Sequence, residues 1–347
     1  MKLKIIFFTT VLLILTGVTY SCKKDSGTIT PNPPATDTSF AKGADISWIT
    51  EMEAAGLKFY NTTGTETDCF ALMKSLGMNS IRLRVWVNPS PAWNNTADVV
   101  AKAVRAKNLG LRVMIDFHYS DNWADPGKQT KPGAWASLDF TSLKTALANH
   151  TTDVLTQIKN AGVTPEWVQV GNETNDGMLW PDGKASANMS NFAQLINAGY
   201  DAVKFVFPLA KVIVHISNGY DNALFRWMFD GLKNNAAKYD VIGMSLYPSY
   251  FGGGWPSANQ QCLTNINDMV TRYNKEVMIV EVGMPWDNAT ESKNFLTDII
   301  AKAKTVANKK CLGVLYWEPQ SYNGWKGYTL GAFDNIGKPT IAMDAFK

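Results

Sequence analysis

From residue 43 onward the chain repeats one alternation eight times, and few folds accept that pattern. Short β-branched or apolar runs occur at Ala44–Trp48, Ser80–Val87, Arg112–Phe117, Trp167–Val170, Lys211–Ile216, Val241–Ser245, Val277–Glu281 and Leu312–Trp317. Between them lie segments with apolar residues at three- and four-residue spacing, clearest at Glu66–Leu76, Ala97–Leu109, Thr141–Ala161, Asn191–Phe207, Asn222–Asn235, Asn259–Tyr273 and Ser292–Val306. The pairs Leu76-Gly77, Leu109-Gly110 and Ala161-Gly162 put glycine where a helix terminus needs a left-handed residue. Eight strands alternating with helices, closed by a short C-terminal helix, predict a single-domain α/β fold, a (β/α)8 TIM barrel. An open doubly wound sheet would carry a glycine-rich turn after its first strand, and Ala44-Asp-Ile-Ser-Trp48 has none.

Everything before residue 42 reads differently. Lys2 and Lys4 precede the apolar run Ile5–Val18, which is too short for a confident membrane span, and Ser21-Cys22 follows. Residues 1–21 therefore read as a signal peptide of lipoprotein type, with Cys22 as the lipid attachment site; an ordinary cleaved signal is the alternative. Both imply export, either to a membrane-anchored position at the cell surface or to the periplasm or medium. Residues 22–41 are a Ser/Thr/Pro-rich tether, and 42–347 the folded domain. Without residues 1–21 the chain holds 31 basic and 30 acidic side chains. That balance favours neither nucleic acid nor an anionic membrane as partner, and leaves the lipid anchor as the membrane contact. Cys69, Cys262 and Cys311 share no metal-ligand spacing and read as buried small apolar residues. A monomer is expected.

In a parallel barrel, chemistry gathers at the C-terminal strand ends. Those ends offer Asp45 and Trp48; Arg82, Arg84 and Trp86; Asp116, His118 and Tyr119; Asn172 and Glu173; His215 and Asn218; Tyr247; Glu281; and Trp317 and Glu318. Two runs, Gln169–Glu173 and Met278–Glu281, each end in glutamate, and the glutamates stand 108 residues apart, about three βα units. Paired carboxylates across one mouth are the equipment for cleaving a glycosidic bond. The loops add Trp86, Trp123, Trp135, Trp180, Trp255, Trp286, Trp317 and Trp325, flat faces on which sugar C–H groups stack, with Trp135 and Trp255 the ones best read as packing. These residues alone reach a retaining hydrolase of a β-linked polysaccharide.

Several stretches carry a family resemblance. Gly43–Ser47, Arg82–Pro89, Ile115–Pro126, Gly171–Glu173, Ser245–Pro248, Val280–Gly283 and Tyr316–Pro319 resemble, in order, the motifs of glycoside hydrolase family 53, the arabinogalactan endo-β-1,4-galactanases. The His-Tyr-Ser-Asp-x-Trp-Ala-Asp-Pro part is specific to that family. The resemblance implies a retaining mechanism acting on β-1,4-galactan. Glu173 would be the general acid/base and Glu281 the nucleophile. Arg84 would favour the charged form of Glu281, while Arg82 makes an ion pair inside the barrel. Asn172 would bond the sugar 2-OH, Tyr247 would hold Glu281, and Trp317 would floor the central subsite. Asp45, Trp86, His118, Trp123, Asn218 and Trp286 are further candidates for binding or support. Glu318 follows Trp317 and is expected to point away from the face Trp317 occupies.

No cofactor is expected. Some relatives hold calcium in long loops after the seventh and eighth strands, but Met284–Thr290 is short, so none is expected there; the Asp334-Asn335 region leaves the question open. Two other readings remain: a barrel hydrolase for another β-1,4-glycan such as mannan or cellulose, and a surface lipoprotein that binds glycans without cutting them.

Overall fold

The computed structural model describes Met1 and residues 39–347. The stretch read as a signal peptide, apart from Met1, and the stretch read as a tether up to residue 38, with Cys22, lie outside the described residues. Eight parallel strands close on themselves in sequence order: β1 (Ala41–Asp45), β2 (Ser80–Val85), β3 (Arg112–Phe117), β4 (Trp167–Val170), β5 (Lys211–Ile216), β6 (Val241–Leu246), β7 (Glu276–Val282) and β8 (Cys311–Trp317). The helices α1 (Ile49–Ala54) and α2 (Cys69–Ser75) lie between β1 and β2. Then α3 (Thr96–Asn108), α4 (Phe140–Asn160), α5 (Met189–Val206), α6 (Asn222–Asn234), α7 (Gly254–Tyr273) and α8 (Ala289–Lys304) follow the successive strands. A 3-10 turn at Ile341–Phe346 completes the chain.

The strands read as continuous apolar runs because both of their faces are buried. One core lies between sheet and helices. A second, smaller one plugs the barrel interior with Ala41, Met114, Trp167, Ile213, Val241, Met278, Val280 and Leu315. Short polar side chains start the helices: Asp68, Asn95, Asp139, Asn188 and Asp221 each accept a first-turn backbone N–H. All three cysteines of the described chain are free and buried.

Three details differ from the sequence reading. Strand β1 begins at Ala41, which pairs with Gly313, so the folded domain takes in the last residue assigned to the tether, and Ile46–Trp48 have already left the sheet. Helix α1 was not foreseen, because six residues are too few to show a period. Trp255, taken for a loop residue, sits in the first turn of α7.

Candidate active site

Above the apolar plug the barrel interior turns polar, and Arg82 of β2 is its centre. Its guanidinium donates to Asp45 Oδ2 (2.8 Å) and Asn172 Oδ1 (2.9 Å), and Nη2 also lies 2.9 Å from both Asp116 and Glu281. Burial opposes the Arg82 charge, but Asp116, Glu281 and Asp45 outweigh it and hold the group protonated. One cation thus ties carboxylates from β1, β3 and β7 to Asn172, two residues beyond the end of β4.

Glu281 reaches this network through an irregularity. Met278 and Val280 face the barrel interior, so strict alternation would turn Glu281 outward. The register between β6 and β7 slips after Met244, pairing Ser245 with Glu281, and the slip swings the carboxylate inward. Its Oε1 faces Arg82, sealed from solvent and without a donated hydrogen bond. Its Oε2 accepts a hydrogen bond from the Tyr247 hydroxyl at 3.0 Å. Burial, joined by Glu281, keeps the Tyr247 phenol protonated far above the ordinary range.

Glu173 is placed by backbone geometry. Gly171 (φ 85°) and Glu173 (φ 42°) both take left-handed conformations, and a Cβ on Gly171 would meet the Thr174 methyl at 2.6 Å. The Glu173 N–H donates to His215 Nδ1 (3.3 Å), which the Gln169 side-chain amide and Asn172 Oδ1 each approach at 3.1 Å; two donors against one acceptor favour Nδ1 as the acceptor. His215 Nε2 then carries the proton and donates to Ser245 Oγ (2.8 Å), whose hydroxyl donates to Glu173 Oε1 (2.6 Å). Burial, with Arg82 and His118 nearby, holds His215 well below the ordinary histidine range, so it stays neutral.

Both carboxyls are strongly perturbed. Burial raises Glu173 to about 7, opposed by Ser245 and Arg82 and reinforced by Asp125 and Asp116. Burial also raises Glu281; Arg82 opposes it, while Glu173, Asp116 and Asp45 add to it. The two titrate as a pair. The single negative charge belongs on Glu281, because that group contacts the guanidinium and accepts the tyrosine hydrogen bond, whereas Glu173 has a serine hydroxyl alone.

The two glutamates line one cavity of about 440 Å³ with His118, Trp123, Asn172, Asn218, Tyr247 and Trp317. Ser217, Tyr250, Tyr328 and Leu330 also line it, and the sequence reading did not single them out. They sit on loops after β5, β6 and β8, where no period marks them. His118 donates from Nε2 to Asp116 (2.9 Å), and its Nδ1 accepts from Trp86 Nε1 and the Ala124 N–H. The Asn172 amide donates to Ala124 O and accepts from Arg82, which fixes its orientation.

Two expected placements need correction, those of Arg84 and Trp286. Arg84 does not face Glu281. It bonds Glu318 and lies under the rings of Trp48, Trp86, Trp123 and Trp317, 4.5 Å from the centre of Trp123. Arg82 takes the place given to Arg84, because it sits one pleat deeper, level with Asp45 on β1. Asp45 is fully buried beneath the cavity, where it supports the site as partner of Arg82 and Ser47. Trp86 lines a second cavity of about 470 Å³ that shares Trp123, Trp317 and Tyr328 with the first. Trp286 lines neither cavity; its backbone N–H donates to Thr329 O. Glu318 does point away, accepting hydrogen bonds from the Trp48 N–H and Gln320. Among the described residues, no group of three or more His, Cys, Asp or Glu is placed to hold a metal ion.

Comparison with known proteins meets this geometry. The family model described as glycosyl hydrolase family 53 matches residues 41–346. An arabinogalactan endo-β-1,4-galactanase of Thermothelomyces thermophilus is 34% identical over 301 residues, covering 80% of this chain and 89% of that protein. One of Cellvibrio japonicus is 34% identical over 313 residues, covering 82% and 81%. A solved fungal β-1,4-galactanase superimposes with a TM-score of 0.82 at 30% identity, over 89% of this chain and 99% of that one.

Proposed function

This chain belongs to glycosyl hydrolase family 53, and from that premise we propose that it is an endo-β-1,4-galactanase cleaving the galactan backbone of arabinogalactan with retention. The observation that supports this most is the pair of buried, mutually coupled carboxyls from β4 and β7 facing one cavity, with a fixed cation beside one of them. Glu281 is the nucleophile. Arg82 and Tyr247 hold it ionised and oriented, and Oε2 attacks the anomeric carbon to form a glycosyl-enzyme. Glu173 enters the cycle protonated and gives its proton to the leaving oxygen. Once Glu281 is esterified its charge is gone, the acidity of Glu173 rises, and Glu173 becomes the base that activates water. Asn172, fixed from both sides, is positioned for the sugar 2-OH, and Trp317 and Trp123 offer stacking faces. No cofactor enters this cycle.

The test is Glu281→Gln assayed by reducing-end release from β-1,4-galactan. The expected loss is on the order of 10⁴-fold or more, from removal of the covalent step, with the thermal midpoint retained. Appreciable turnover would remove Glu281 from its role. A panel of galactan, mannan, carboxymethyl-cellulose and xylan reads the substrate directly, and a variant-independent absence of cleavage with retained binding would point to a glycan-binding protein.

Export with an acyl anchor at Cys22 belongs to the same proposal. It is supported by Lys2 and Lys4, the apolar run Ile5–Val18 and the small residue before Cys22. Radiolabelled palmitate should enter the wild-type chain and not Cys22→Ala.

A further inference from the structure

The overall charge is nearly balanced, but the two ends of the barrel are not alike. The loops at the cavity end carry Asp121, Asp125, Asp176, Asp182, Asp221 and Asp287. The turns at the opposite end, where helices return to strands, are rich in lysine. Lys74, Lys159 and Lys275 donate there to the main-chain carbonyls of Leu109, Val206 and Tyr239, which orders them without cancelling their charge. Exposed Lys107, Lys233 and Lys309 make no ion pair within 4 Å among the described residues, although Lys233 lies near enough to Asp230 to attract its carboxylate. On the same end the last turn of α5 projects Phe205 and the turn that follows it projects Leu209, 80% and 87% exposed. Lysines at helix C-termini complement helix dipoles and need no partner. That accounts for neither large apolar side chains in water nor the lysine in the turn after α8.

Strand β1 starts at this end, so residues 1–38 join the barrel here. The seventeen or so residues from Cys22 to Ser39 could reach about 55 Å if extended, ample for the barrel to touch whatever surface holds the chain. We propose that the lysine-rich end, with Phe205 and Leu209 at its rim, docks on a bilayer surface bearing anionic phosphate headgroups, leaving the cavity turned outward toward polymer. The apolar pair dips into the headgroup boundary while the lysines pair with phosphates. This goes beyond the proposed activity and uses the anchor only as the reason the two surfaces meet.

The test uses residues 39–347, which contain the whole closed barrel and every core residue of the described chain, and so need no acyl chain. Vesicles of phosphatidylcholine alone, or mixed with phosphatidylglycerol, are sedimented with the protein. Binding is expected to the mixed vesicles only, and to fall with added salt, the screening length being about 8 Å at physiological ionic strength. Each lysine near such a surface contributes about fivefold. Lys233→Glu with Lys309→Glu should therefore weaken binding more than tenfold. Phe205→Ser with Leu209→Ser should weaken it several-fold and leave the salt dependence unchanged. Reducing-end release from soluble galactan should be unchanged in both variants, which shows that they are folded and reads the hydrolase assignment separately. Equal partition onto both kinds of vesicle, or undiminished binding by the charge-reversed variant, overturns the proposal.

Discussion

Two arginines on one face of β2, a single pleat apart, have different tasks, and a change at each should be read by a different instrument. Arg82 contacts Glu281 and sets the charge of the reacting pair; Arg84 contacts Glu318 and a bed of indoles. Arg84→Met leaves Glu318 buried and unpaired, which costs about 3–5 kcal/mol. The expected result is a clear drop in thermal midpoint, partly restored by adding Glu318→Gln. Turnover per folded molecule should stay within about tenfold of wild type. Arg82→Met strands Asp45, Asp116 and Glu281 and should lower the midpoint as well, but in the molecules that remain folded its distinguishing effect is on turnover, with kcat reduced far more than KM. Equal kcat losses in the two variants would show that the division of labour is wrong. The sequence displayed both arginines on the correct face, but not which one meets Glu281, since that depends on how β1, β2 and β7 stagger around the barrel. It likewise showed Ser245 and Tyr247 within one motif, yet gave no sign that Ser245 completes a relay from His215 to Glu173.

At the scale of elements, the strands were legible because burial on both faces writes them as unbroken apolar runs, and the helices because their period survives over thirteen to twenty-one residues. What escaped are the departures from regularity that aim the chemistry. The register slip that turns Glu281 inward leaves no mark in Met278–Val282, where alternation alone points the glutamate the wrong way. The left-handed pair after β4 is half-visible, since Gly171 advertises a special backbone angle whereas Glu173 does not. That turn can be tested apart from the carboxylate it carries. Gly171→Ala places a methyl in a left-handed position and against Thr174, at a cost of about 1–2 kcal/mol for the backbone alone. Displacement of Glu173 should lower kcat on galactan on the order of tenfold or more, because a misplacement of about an ångström is enough. Adding Thr174→Ser removes the opposing methyl and should recover part of the activity. A Gly171→Ala variant with wild-type kcat would show that the turn has no part in presenting the acid.

For the whole molecule, the cavity is a liability that pH should reveal. Glu173, Glu281 and Glu318 are all buried and all raised, Glu173 and Glu318 to about 7, from an ordinary value of 4.5. In the unfolded chain each loses its proton near 4.5; in the folded chain Glu173, the protonated member of the coupled pair, and Glu318 hold theirs up to about 7. Between those values the folded state binds more protons than the unfolded one, so stability falls as pH rises. The penalty is absent below about pH 4.5 and complete once the pH passes the folded values. The thermal midpoint, followed by calorimetry from pH 5 to 8, should therefore decline across the range in which exposed carboxylates have already finished titrating. Glu173→Gln should flatten part of that decline and be the more stable protein near pH 8, while losing most of its activity on galactan. The same raised value sets the catalytic limb: kcat should fall as pH rises past about 7, because the leaving group then finds no proton to take. A wild-type midpoint that rises between pH 5 and 8 would mean that the carboxyls are ionised in the resting barrel, and Glu173 would then have no proton to give.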